Sequence, residues 1–170
     1  HLRYVLPPSA NIQATTSPDQ LPEDCFYYEY DEYNHICKQY IPGASYTLFL
    51  YDKRGRLVMK QNGEQRKNRQ WTFTKYDIFD RPIMEGIYSG GTYETHKAAL
   101  ANQTNFGEEI DRAAYNYTNQ CYPNIDNANI LNITYYDDYD WIPDGEDEDR
   151  YNYRSEQALG NSVNYKIKGK

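Results

Sequence analysis

Asp31, Asp52, Asp77 and Asp137 each follow a tyrosine directly, and together with the acidic run 137–149 they are the residues whose type and spacing could do chemistry. Paired carboxylates serve general acid–base work and glycoside hydrolysis, and dense ones serve calcium. The calcium reading fails on register. With Gly145 at the sixth position of an EF-hand loop, Ile142 and Tyr151 fall where oxygen ligands are required. The acidic run therefore reads as a solvated loop. His35 and His96 have no Cys or carboxylate at metal-ligand spacing on one face, so each reads as an ordinary polar residue. No G-x-S-x-G, P-loop or H-E-x-x-H pattern occurs.

The local context of the aspartates explains them as turn residues instead. In the stretch YTLFLYDKRGRLVMKQN, residues 46–62, apolar arms flank the corner Asp52-Lys53-Arg54-Gly55. β-Branched and aromatic arms around a short Gly-containing corner read as a hairpin. Asp first and Gly fourth suit a type I turn closed by a left-handed residue. The register then expected opposes Asp52 to Arg56, Tyr51 to Leu57, Leu50 to Val58 and Phe49 to Met59. Tyr51, Phe49, Leu57 and Met59 would share one face, and Leu48, Leu50 and Val58 the other.

The same corner recurs. Tyr30-Asp31 leads to Asn34-His35, Tyr51-Asp52 to Gly55-Arg56, Tyr76-Asp77 to Asp80-Arg81, and Tyr136-Asp137 to Asp140-Trp141. Asn34, Gly55, Asp80 and Asp140 are of the types that best tolerate positive φ. The following residue is basic in three of the four, with Trp141 the departure. An Asp facing a basic residue, with Tyr facing an apolar one, is a repeated cross-strand pairing. Short intervals separate the first three corners, and the longer one before Tyr136 holds an insertion. Such periodicity signals a repeat array.

FLYDKRGRLV resembles the Y-x-Y-D-x-x-G-R-L signature of bacterial YD repeats, also called RHS repeats. The other three corners keep Tyr-Asp and the turn residue but lose Gly-Arg-Leu. The resemblance covers residues 26–88 and, more briefly, 131–142, and looks like the section ahead of the main array of a large RHS protein. It implies a segment of twisted β-ribbon that helps wall a hollow shell around a C-terminal toxin or effector domain. It also implies a secreted or surface location, and partners in the remainder of the array and that effector. No catalytic activity or cofactor comes with it, and no Asp-Pro resembling the family's self-cleavage site is present.

Composition agrees with a β-rich chain that does not bind polyanions. Hydrophobic residues are 39% and aromatics 16%, with 20 tyrosines, whose rings pack while their hydroxyls reach water. The net charge of −7 disfavours nucleic acid and anionic membranes. No apolar run approaches membrane-spanning length. His1 and the ending NSVNYKIKGK read as the ends of a segment cut from a longer chain. Cys25, Cys37 and Cys121 are odd in number. The expected register, Cys37 opposite Glu29 and Cys25 opposite Ile41, sets them about 13 Å apart along the ladder, beyond a disulfide's reach of about 7 Å. Three buried thiols are expected.

The fold expected is mainly β: an antiparallel sheet of consecutive hairpins, in sequence order, with one short helix packed on it. Residues 1–24 form a lead-in with a short strand within 2–6, and 25–90 hold three hairpins. Residues 91–129 are an insertion carrying a helix at 92–101, capped by Thr92. Within it, 112–117 reads as a further strand and Pro123 as a loop. Residues 130–170 begin with a strand over 130–136 and hold the fourth corner and the start of further repeats. The stretch 62–70 reads as a polar connection. Two functions fit: a non-enzymatic structural segment of the shell, or a Tyr-rich surface module binding glycan or protein. Severing such a ribbon leaves open strand edges, so the isolated chain is expected to self-associate.

Overall fold

The seven residues Gln70–Tyr76 alternate between buried and half-buried positions, and the rest of the sheet is built outward from them. Trp71, Phe73 and Lys75 point to one face and are each 1% exposed or less, the period-2 signature of a strand covered on one side. The computed structural model describes residues 1–6, 8, 25–111 and 117–136. Of two compact units, the first is His1–Ile133, and of the second, Thr134–Lys170, only 134–136 are described.

The described strands are β1 (Tyr4–Val5), β2 (Phe26–Tyr30), β3 (Ile36–Tyr40), β4 (Thr47–Tyr51), β5 (Leu57–Gln61), β6 (Gln70–Tyr76), β7 (Pro82–Ser89) and β8 (Ala128–Ile133). They form one antiparallel sheet in the order β1 to β8, each strand beside its sequence neighbour. The mainly β, consecutive-hairpin fold expected from the sequence is therefore present. β8 runs Ala128–Ile133, earlier than the 130–136 expected. Of the expected strand at 112–117 only Tyr117 is described, bridged to Ile110. The corner at Asp137 and Asp140 and the acidic run lie outside the described residues.

The expected register fails one step beyond each of the three described corners. Tyr51 does oppose Leu57, but Leu50 opposes Met59, Phe49 opposes Lys60 and Leu48 opposes Gln61. Val58 is an extra residue, a β-bulge. The same shift recurs at Cys37, so that Glu29 faces Lys38 instead of Cys37, and at Ile83, so that Lys75 faces Met84. A bulge turns two successive residues toward one side and sharpens the twist. Val58 with Met59, and Ile83 with Met84, are accordingly both buried. Met59 thus belongs with Leu50 in the core, not with Tyr51 as the simple hairpin register had it.

Among the described residues two α-helices accompany the sheet, where one was expected. Within the supposed polar connection, α1 (Gly63–Lys67) is closed by an Asn62–Gln65 capping box, and Arg66 Nη2 donates 2.7 Å to Ser45 Oγ. α2 (Tyr93–Asn102) starts from a Thr92–Thr95 capping box and buries His96 and Leu100 against the sheet. Gly86 is required by a close approach: a Cβ there would lie 2.5 Å from the Asn129 carbonyl and 2.7 Å from the Phe73 ring. The insertion after α2 returns over the core, and a 3-10 turn at Ile125–Asn127 leads it into β8. No helix among the described residues is long and apolar enough to cross a membrane.

Candidate functional site

The three described corners have one geometry, set by the aspartate. Asp52 Oδ1 accepts the amides of Arg54 and Arg56 at 2.9 and 3.0 Å, and Oδ2 accepts Arg56 Nε and Nη2 at 2.8 and 2.6 Å. Asp31 Oδ1 takes the amides of Tyr33 and His35, and its Oδ2 lies 3.2 Å from His35 Nδ1. Asp77 Oδ1 takes the amides of Phe79 and Arg81, and its Oδ2 takes Arg81 Nε at 2.6 Å. Each aspartate thereby satisfies turn amides that could not join the ladder. Asn34, Gly55 and Asp80 sit at φ 70°, 75° and 65°.

Consecutive corners are also bonded to one another through the tyrosines. The Tyr51 hydroxyl donates to the Ile36 carbonyl at 3.0 Å and that of Tyr76 to the Leu57 carbonyl at 2.8 Å. The Tyr51 ring stacks on His35, centroids 4.6 Å apart, and the Arg56 guanidinium lies 4.6 Å over the Tyr76 ring. Burial pushes the Tyr51 and Tyr76 hydroxyls above their ordinary pKa. Both stay neutral donors. Arg56 is the hub of the array: besides Asp52 and Tyr76 it bonds Asp80 Oδ1 at 2.7 Å and the Phe106 carbonyl. Arg54 joins it on Asp80 Oδ1 at 2.8 Å, and this hydrogen bond is the leading reason the Asp80 carboxyl sits below its usual pKa.

A second polar cluster ties the insertion to the sheet. Lys75 Nζ donates to Glu108 Oε1, Asn119 Oδ1 and the Cys121 carbonyl at 2.6, 2.8 and 2.8 Å, so all three of its protons are placed. Glu108 also accepts the Gln120 and Cys121 amides and the Thr118 hydroxyl. Burial lowers the Lys75 pKa and the Glu108 charge opposes that shift. A lysine and glutamate whose donors and acceptors are all engaged form a structural tie. Beside it, the third feature is a nest of Trp71, Tyr88, His96 and Tyr122. His96 Nε2 donates to the Gly90 carbonyl at 3.1 Å, leaving Nδ1 to accept the Tyr122 hydroxyl at 2.5 Å.

Of the residues singled out in the sequence, Tyr30, Asp31, Asn34 and His35 form one corner, and Tyr51, Asp52, Gly55 and Arg56 the next. Tyr76, Asp77, Asp80 and Arg81 form the third, and Arg54, Arg56 and Asp80 join the last two. Tyr136 is described without its corner, and Asp137 and Asp140 lie outside the described residues. His96, read from the sequence as an ordinary polar residue, is buried, 1% exposed. Of the three cysteines expected to be buried, Cys25 and Cys121 are, but Cys37 is only half-buried. Among the described residues no three His, Cys, Asp or Glu side chains converge to hold a metal ion.

Lys75 and Glu108 were not anticipated. Lys75 could have been, because it stands in phase with Trp71 and Phe73 in WTFTKY and must share their buried face. Glu108 carries no local signal.

No family model matches the chain, and no curated protein is similar to it.

Proposed function

We propose that the chain is a non-enzymatic structural segment of a secreted or surface RHS/YD-repeat protein, contributing strands to a β-shell around a toxin or effector domain. The observation that carries this reading is the repeated corner. Three times a buried or half-buried Asp engages two turn amides and the following basic side chain. Carboxylates held this way are poor general acids or bases, because a proton would displace several hydrogen bonds at once. They are good staples, because each corner is fixed independently of its neighbours. The Tyr hydroxyl bonds then link corner to corner, as a wall built by adding one hairpin at a time requires.

The test is protection of the cargo. In the polypeptide that carries this segment ahead of an effector domain, the effector should resist protease and remain inactive while the sheet is folded. Replacing Arg56 and Asp52 together with Ala should release both protections. An effector equally accessible and active in both forms contradicts the reading.

A second reading, a Tyr-rich module that binds glycan or protein, is favoured by the corner tips. Tyr33 is 72% exposed and Phe79 70% exposed at equivalent positions two residues after the aspartate. A glycan array tests its glycan form: saturable binding abolished by Tyr33→Ala with Phe79→Ala supports this reading, and no binding removes glycan as the ligand.

A further inference from the structure

We infer that the outer edge of β1 is a built acceptor for one kind of partner, an extended strand that ends in Tyr-Asp. β1 shares its register with the return arms of the corners. Where one hairpin meets the next, the residue three after the basic corner residue pairs with the residue three before the next tyrosine. Lys38 pairs with Leu48 between His35 and Tyr51, and Met59 pairs with Phe73 between Arg56 and Tyr76. Met84 pairs with Ile133 between Arg81 and Tyr136. Tyr4 pairs with Tyr27, and these stand three residues after His1 and three before Tyr30. β1 is therefore in the register of a return arm, with His1 in the place of the basic corner residue.

The side chains repeat the equivalence. The Tyr30 hydroxyl donates 2.6 Å to the Leu2 carbonyl, as Tyr51 does to Ile36 and Tyr76 to Leu57. The Tyr30 ring stacks on His1 at 4.9 Å and 29°, as Tyr51 stacks on His35 at 4.6 Å and 26°. Half of a corner interface is thus assembled at residues 1–6. In the complete corners the other half is an arm ending in Tyr-Asp, and no described strand supplies one here.

The backbone is oriented to receive it. The Tyr28 amide donates to the Arg3 carbonyl at 2.9 Å, so Arg3 turns its polar groups toward β2. By the alternation of an antiparallel ladder, Tyr4 turns its N–H and C=O to the side away from β2, where no described strand lies. The equivalents of Tyr4 are Lys38, Met59 and Met84, which pair on that side with Glu29, Leu50 and Lys75. Each of those partners immediately precedes the tyrosine of a Tyr-Asp. The incoming strand should accordingly set the residue before its tyrosine opposite Tyr4 and its aspartate beside His1. Leu2, Val5 and Leu6, 61%, 43% and 42% exposed, provide apolar surface in and directly beside that strand. Strand addition to an open edge with side chains setting the register is an established recognition mode.

The inference rests on the repeat reading but is tested apart from cargo protection. The probe is a synthetic peptide of residues 46–54, YTLFLYDKR, which carries a Tyr-Asp arm and lacks the return arm that would let it close on itself. Titrated into the whole chain, it should bind saturably and slow hydrogen exchange at the Tyr4 amide. The peptide carrying Asp52→Ala should bind roughly tenfold or more weakly, as should the intact peptide to His1→Ala chain. His1 lies at the exposed end of the sheet, so that variant leaves the fold in place. Three results would overturn the inference: no protection of Tyr4 at saturating peptide, a Tyr4 amide already protected without peptide, or binding indifferent to both substitutions. Tyr4 protection that instead follows the chain's own concentration would make the occupant a second copy and likewise overturn it. Cargo protection can hold or fail under any of these results.

Discussion

The hydroxyl of Tyr76 donates to the carbonyl of Leu57 at 2.8 Å, joining the arm of one hairpin to the return arm of the hairpin before it. The Arg56 guanidinium packs over the same ring and reaches back to Asp52, whose side chain is fully buried. These contacts imply unequal costs. Tyr76→Phe removes one neutral hydrogen bond and should lower stability by about 1 kcal/mol. Arg56→Ala strands a buried carboxylate and should cost about 3–5 kcal/mol. Urea denaturation of the two variants checks the ranking, and equal costs would contradict it.

At the corner itself, Gly55 has φ 75° and its Cα faces the His35 imidazole, with a Cβ only 3.0 Å from Nε2. Gly55→Val should cost about 1–2 kcal/mol from the left-handed conformation. Gly55→Asn should cost less, because Asn34 and Asp80 hold the same conformation in the neighbouring corners. Thermal denaturation of both variants distinguishes conformational strain from simple crowding against His35. Equal losses would point to crowding.

Lys75→Met tests the tie between sheet and insertion. The lysine and Glu108 side chains are both 0% exposed. Removing the cation leaves the glutamate buried without its charge partner, so about 3–5 kcal/mol should be lost. Hydrogen exchange should quicken in residues 117–123 before it does in β6. Uniform change across the sheet would show that the insertion is not held chiefly by this pair.

His96 gives the fold a dependence on pH. Burial holds its folded-state pKa below the ordinary value of 6.5, with the Gly90 contact opposing the shift in part. Its stabilisation is therefore complete above the unfolded value and is lost as pH falls through about 6.5 toward the folded value. The urea midpoint should decline between about pH 7 and pH 5, and His96→Asn should flatten that decline while lowering stability overall. A variant with the parental pH profile would assign the titration elsewhere.

The hairpins were legible in the sequence because their signal is local. Tyr-Asp, a residue tolerant of positive φ and then a basic residue declare a corner wherever they occur, and short connections keep the hairpins in order. The bulges at Cys37, Val58 and Ile83 were not legible, since nothing in an alternating arm marks which residue will go unpaired. The bulge is set by sheet twist and by the core taking both Val58 and Met59. α1 was hidden by its polarity, although Asn62 with Gln65 was a readable capping box. Glu108 could not be found because its partners are supplied by distant segments. Lys75 was readable from its phase in β6, and reading it would have announced a buried partner.

The measurement closest to the central proposal is electron cryo-microscopy of the polypeptide that carries this segment joined to an effector domain. The sheet β1 to β8 should continue strand by strand on both sides into a closed wall, with a Tyr-Asp arm seated beside His1 and the effector enclosed. A sheet that stands alone, with β1 and β8 facing solvent and the effector outside, would contradict it.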